Sequence, residues 1–236
     1  MRWLVARYQP VGLFSLKPGE ATSTGGKSLL VPTPFAIRMA LLDVAIRVRG
    51  VAGGRQAFEQ IRALRLALRP PRRAAVTGLF AKILKPEREA EERDRAMQRT
   101  IAFREYVHLE GTLDLAIGGE PALLESVAPL LPHLTYLGKR GSFLQLLAPP
   151  ETVETADDQP PEGFIPLVPW NQTKGSFPLG HVQRLDEWGP GLTFEKANVY
   201  APEKIQVGKD RIRIDVVLPY RLVQAGRGFT VYERVE

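Results

Sequence analysis

Arg104, Tyr106 and His108 stand two residues apart in the run RTIAFREYVHLEG, and the alternation of an extended chain puts all three on one face. A tyrosine, a histidine and a cation placed this way can cleave RNA without a metal. One group takes the proton from the 2′-hydroxyl, another protonates the leaving 5′-oxygen, and the cation stabilises the phosphorane. Tyr106 and His108 are therefore the candidate catalytic pair. The same face serves equally as a polar strand surface that stacks bases and touches phosphates without cutting, and the sequence favours that second use.

The other two histidines point to less. His133 follows Pro132 and suits a helix end, and His181 sits in the loop-like GSFPLGHVQ. No H-x-x-x-H spacing occurs and the chain has no cysteine, so neither a metal site nor a cofactor is expected, and disulfides and thiol nucleophiles are excluded. Gly26-Lys27-Ser28 has the ending of a phosphate-binding P-loop. The position five residues before Gly26 is Ala21, however, and Pro32 and Pro34 follow where a helix should begin. A nucleotide triphosphatase is excluded on that ground; Lys27 alone stays a candidate phosphate contact.

The cations are unevenly spread. The 236 residues carry a net charge of +6, yet residues 47–104 hold 15 Lys and Arg against 6 Asp and Glu, and the rest of the chain is slightly acidic. A basic excess confined to a quarter of the chain is the pattern of a polyanion contact, although an arginine-rich coding bias gives a similar count. Aromatics lie among these cations. Phe80, Lys82 and Lys85 follow Arg72 and Arg73, and Tyr136 precedes Lys139 and Arg140, a mixture suited to stacking bases and holding phosphates. The longest uncharged stretch, Ser126 to Gly138, is broken by two prolines and falls short of a membrane span, so a soluble, cytoplasmic protein is expected.

The elements that must position these residues are readable in outline. Residues 2–8 predict a strand. Thr33 predicts a helix N-cap with Pro34 in the first turn, and Ile37, Leu41, Val44 and Val48 recur at helical spacing until Gly50, Gly53 and Gly54. A second helix is predicted over 55–69, with Ile61, Leu64 and Leu68 on one face and Arg55, Arg62, Arg65 and Arg69 on another. A polar helix follows over 87–99. Residues 103–117 alternate as one long strand, Pro121 opens a short helix curtailed by Pro129, and Gly138-Lys139-Arg140-Gly141 leads into a strand over 142–147. The order is strand, helix, insertion, strand, helix, strand. With a further strand near 76–83, that makes an α+β, ferredoxin-like (RRM-like) βαββαβ domain over 1–148, carrying an inserted basic thumb at about 50–102. Residues 149–164 are acidic and proline-rich, a linker by composition, and 165–236 form a small β-rich region with a strand over 211–218 and a terminal hairpin through Gly226 and Gly228.

This succession resembles the CRISPR-associated Cas five family of the RAMP superfamily. The resemblance is carried by the N-terminal strand with its glycine-containing loop, the helix PTPFAIRMALLDVAIR, the strand REYVHLEGTLDLAI and the segment YLGKRGSF. It implies a subunit of a type I interference complex (Cascade) in antiviral defence that caps the 5′ handle of CRISPR RNA and abuts the backbone and large subunits. One branch of that family cuts precursor RNA with a tyrosine, a lysine and a histidine. Tyr106 and His108 are present here, but no lysine stands at a matching place. The expected RNA-binding residues are Lys27, Arg38, Arg72, Arg73, Lys82, Lys85, Arg104, Lys139 and Arg140. The alternatives are a metal-independent endoribonuclease and an assembly protein that makes no direct RNA contact.

Overall fold

The computed structural model describes residues 1–21, 26–86, 97–173, 180–198 and 202–235. The chain opens with β1 (Arg2–Val11) and the short β2 (Leu13–Phe14). Helix α1 (Pro34–Ala63) starts where the sequence predicts: the Thr33 hydroxyl accepts from the Ala36 amide at 3.1 Å. Gly50 interrupts it with φ 72° and ψ 177°, a left-handed conformation that favours glycine, and the helix then resumes. Gly54 lets the second half lie close to the first, since a Cβ there would sit 2.3 Å from Ile46 Cγ1.

The predicted second helix therefore ends early. Residues 65–69 are strand β3 (Arg65–Arg69) instead, with Leu66, Ala67 and Leu68 all buried. A fully buried central strand shows no polar–apolar alternation, so its apolar run continues the helical stripe before it. Next come β4 (Arg73–Pro86) and β5 (Met97–Glu110), paired along their whole length from Arg73↔Glu110 to Pro86↔Met97. Of the polar helix predicted over 87–99, residues 97–99 are strand and 87–96 lie outside the described residues. The single strand predicted over 103–117 is two strands. Gly111, at φ 102°, turns the chain between β5 and β6 (Leu113–Gly119). Helix α2 (Pro121–Val127) tightens into a 3-10 turn over 128–133, followed by β7 (Phe143–Leu146), β8 (Glu151–Glu154), β9 (Ile165–Pro166), β10 (His181–Trp188), α3 (Phe194–Ala197), β11 (Arg211–Leu218), β12 (Tyr220–Gly226) and β13 (Phe229–Arg234).

The first sheet has the antiparallel order β7-β1-β6-β3-β9, with β8 also paired to β1. Leu4, Ala6 and Tyr8 of β1, with Leu66, Leu68, Leu115 and Ile117, face a core shared with Ile37, Leu41, Val44 and Ile61 of α1. Tyr8 donates to the Leu131 carbonyl at 2.9 Å, tying this sheet to the turn after α2. The opposite face carries only a small cluster of Trp3, Ala67 and Ala116. The second sheet has the order β12-β13-β4-β5-β2, and β10 and β11 form a separate ribbon.

Segments that sequence composition sets apart are joined to this body. Residues 149–164, expected as a linker, supply β8 to one side of the first sheet and lead directly into β9 on the other. In the C-terminal region Trp188 of β10 stacks on Phe58 of α1 at 4.7 Å, and Leu185, Val216, Leu218 and Tyr220 belong to the main core. Residues 50–69, expected within a protruding thumb, likewise bury Ala57, Phe58, Ile61 and Leu66. The result is an α+β molecule dominated by sheet. Among the described residues no helix is long and apolar enough to cross a membrane.

Candidate nucleic-acid interface

The hairpin of β4 and β5 is 14 residues long on each strand, about 45 Å at the usual rise per residue. Alternation gives it two faces. On the first, Ala74, Val76, Val107 and Leu109 anchor the base in the core. Beyond Gly78 the same face leaves the core and exposes Phe80, Leu84, Ile101 and Phe103, interleaved with Lys82 and Arg99. Phe80 and Phe103 are register partners whose rings meet edge to face at 5.0 Å. Phe103 is 66% exposed, far more than packing alone calls for. On the second face stand Arg104, Tyr106 and His108, as the sequence spacing requires. Tyr106 is half-buried opposite Thr77, and His108 is exposed between Ala75 and Leu13.

A groove of about 730 Å³ lies on the helix side of the first sheet. Its wall is apolar, with Leu29, Phe35, Met39, Ile46 and Phe194, and Lys17, Lys139 and Arg140 line it with Asp43 and with Arg211, which is paired with Asp186 at 2.6 Å. The loop from Gly138 to Gly141 supplies two of these cations, held by the bridge of Tyr136 to Phe143. Burial at the rim pushes the Lys139 ammonium below its ordinary range, and the positive charges of Arg104 and Lys17 push it further the same way. The Tyr136 hydroxyl donates to Asp43 at 3.1 Å; burial raises its pKa first, and the Asp43 carboxylate raises it further. The hairpin and the groove thus meet where Arg104 approaches Lys139. The like charges of Arg104 and Lys17 raise the positive potential at Lys139, which favours an anion there.

The expected binding residues separate into groups. Lys27 and Lys82 are exposed, and among the described residues neither they nor Arg104 and Lys139 form an ion pair. Arg140 lies on the groove rim beside Tyr136. The side chain of Lys85 lies outside the described residues. Arg72 is largely exposed, 3.8 Å from Glu233, while Arg73 is closer to that carboxylate at 3.2 Å. Arg38 is corrected outright. It is buried, paired with Glu187 at 2.9 Å, and donates to the carbonyls of Ile61 and Leu64 at the C-terminal end of α1. A guanidinium committed to a helix end has no donors left for RNA.

The arginines of residues 47–69 are also engaged within the molecule. Arg47 pairs with Asp43, Arg55 with Glu195, Arg65 with Asp158 and Arg69 with Asp114, while Arg62 holds the carbonyls of Gly189 and Leu192. The basic surface expected over this whole stretch is thereby narrowed, since these guanidinium groups already have partners in the molecule. Sequence reasoning missed Lys17 and Arg211 on the rim and Phe103, Ile101 and Arg99 on the hairpin. The last three were legible in principle, because exposed apolar residues recur there on the face opposite Tyr106.

No protein-family model matches the sequence. A CRISPR-associated protein Cas5 from Archaeoglobus fulgidus is 28% identical over 169 residues, which are 71% of this chain and 71% of that protein. Among solved structures, a CRISPR protein from Archaeoglobus fulgidus superposes with a TM-score of 0.48 at 11% identity, covering 100% of this chain and 93% of the other. A Cas protein superposes with a TM-score of 0.40 at 19% identity, covering 91% and 94%. The sequence relative makes the chain similar to a CRISPR-associated protein. Among such proteins its likeness is to a Cas5 protein, over 71% of each chain.

Proposed function

We propose that this chain is a non-catalytic subunit of a type I CRISPR interference complex, and that it binds the 5′ handle of CRISPR RNA. The observation that carries the reading is the convergence of Lys17, Arg104 and Lys139 where an aromatic-bearing hairpin meets an apolar groove. Cations hold phosphates there, while Phe80, Phe103 and the groove wall offer apolar surface to unstacked bases. The strand order β7-β1-β6-β3, with α1 after β1 and α2 after β6, supports a ferredoxin-like domain over 1–148. The hairpin is then its thumb, a shorter one than 50–102, and the backbone and large subunits of the complex are its partners.

Fluorescence anisotropy of labelled handle RNA across a salt series tests this. The account expects log K to fall by about 0.7 for each phosphate contacted, and the slope to become shallower in Lys139→Ala. Binding that ignores salt, or that treats a scrambled RNA as it treats the handle, overturns the reading. A second reading, a metal-independent endoribonuclease, rests on Arg104, Tyr106 and His108 sharing one strand face. Cleavage of repeat RNA in EDTA that is lost in His108→Ala would establish it in place of the first.

A further inference from the structure

The face of the first sheet turned away from the helices carries a second basic site. Arg7 of β1, Asp114 of β6 and Arg69 of β3 are register neighbours and form one row across three strands. Asp114 is buried, and its Oδ2 accepts from Arg69 and lies 3.6 Å from Arg7 Nε, while its Oδ1 has no hydrogen-bond partner. Arg72 and Arg234 join the row from the base of the hairpin and the end of β13, enclosing a cavity of about 400 Å³. Arg234 donates one guanidinium N–H to the Pro70 carbonyl at 2.9 Å, which fixes one side of its head. Four arginines and one buried carboxylate thus line a concave site, with Glu233 3.8 Å from Arg72 at its edge.

We propose that this arginine basin binds a phosphate group at a place separate from the groove. A guanidinium fork matches the oxygens of phosphate two at a time, and several forks aimed into one hollow hold it in fixed orientation. The cavity lining is chiefly polar, which suits a phosphate rather than a stacked base. The unpartnered oxygen of Asp114 decides between anions. It needs a donor, which inorganic phosphate or a phosphate monoester brings as its own P–OH and a strand's ionised phosphodiester brings through a neighbouring ribose hydroxyl. The carboxylate of an acidic peptide brings none of its own, and a peptide would have to turn a backbone N–H into the hollow instead.

The test is a phosphorus NMR titration of inorganic phosphate into the purified protein at low salt, in a phosphate-free buffer. A saturable site that persists in Lys139→Gln is expected. Its Kd should rise at least tenfold in Arg7→Gln and in Arg72→Gln, both exposed and so compatible with folding, and should stay unchanged in Lys139→Gln on the groove. Displacement by single-stranded polyuridylate supports the site with a strand backbone as the source of the phosphate; saturable binding without displacement supports it with free phosphate as the source. The proposal is overturned by absence of saturable binding, or by binding that survives in both arginine variants. It is overturned equally if polyglutamate binds at these arginines while phosphate does not.

Discussion

Arg38 gathers Glu187 and the carbonyls that end α1 onto one guanidinium, with both partners of the ion pair largely buried. Removing it strands a carboxylate and several carbonyls, so Arg38→Ala should cost about 3 kcal/mol, read as a lowered midpoint of urea unfolding. Affinity for RNA per folded molecule should be unchanged, because the side chain faces no solvent. Its position in an otherwise apolar helix marked it as unusual, but nothing local shows that its partner lies in β10. His181 gives a second test. Burial, then the nearby charge of Lys27, holds its imidazole below the ordinary range. The unfolded chain therefore takes up the proton first, and this contribution to stability is lost as pH falls below about 6.5. Melting temperatures taken between about pH 8 and pH 5 should drop less for His181→Gln than for the native chain.

The elements divide by what fixes them. Those set by short-range signals were legible: Thr33 and Pro34 start α1, Pro121 starts α2, and the alternation over 211–218 is β11. Those set by distant partners were not. Residues 65–69 become a strand only because β6 and β9 lie on either side, and the acidic 151–154 becomes one only because β1 offers it an edge. The kink in α1 was half legible, since glycines at 50, 53 and 54 read as an end rather than a fold-back. Gly54 permits the close approach to Ile46, so Gly54→Ala should destabilise by about 2 kcal/mol through overpacking. Ile46→Ala in the same chain should recover part of that loss. Additive losses in chemical denaturation would contradict the contact.

At the scale of the molecule, composition suggested a domain, a linker and an appended tail, whereas packing interleaves them. Tyr220 is buried and donates to the Pro71 carbonyl at 2.6 Å, and β13 covers the edge of β4 from Arg73 to Thr77. A chain ending at Pro219 should therefore expose a strand edge and associate, which light scattering after size exclusion would detect. A monodisperse monomer with native melting would contradict that picture. The candidate site was legible as residue types, such as Lys82, Arg104, Lys139 and Arg140. Their meeting was not, because the loop before α1, the hairpin and the loop before β7 converge only in three dimensions. Ultraviolet crosslinking of handle RNA to the purified protein, read by mass spectrometry, addresses that convergence most directly. The account predicts crosslinked peptides from the hairpin around Phe80 and Phe103 and from the segment 136–141. Crosslinks confined to β10, β11 and the acidic stretch 149–164 would contradict it.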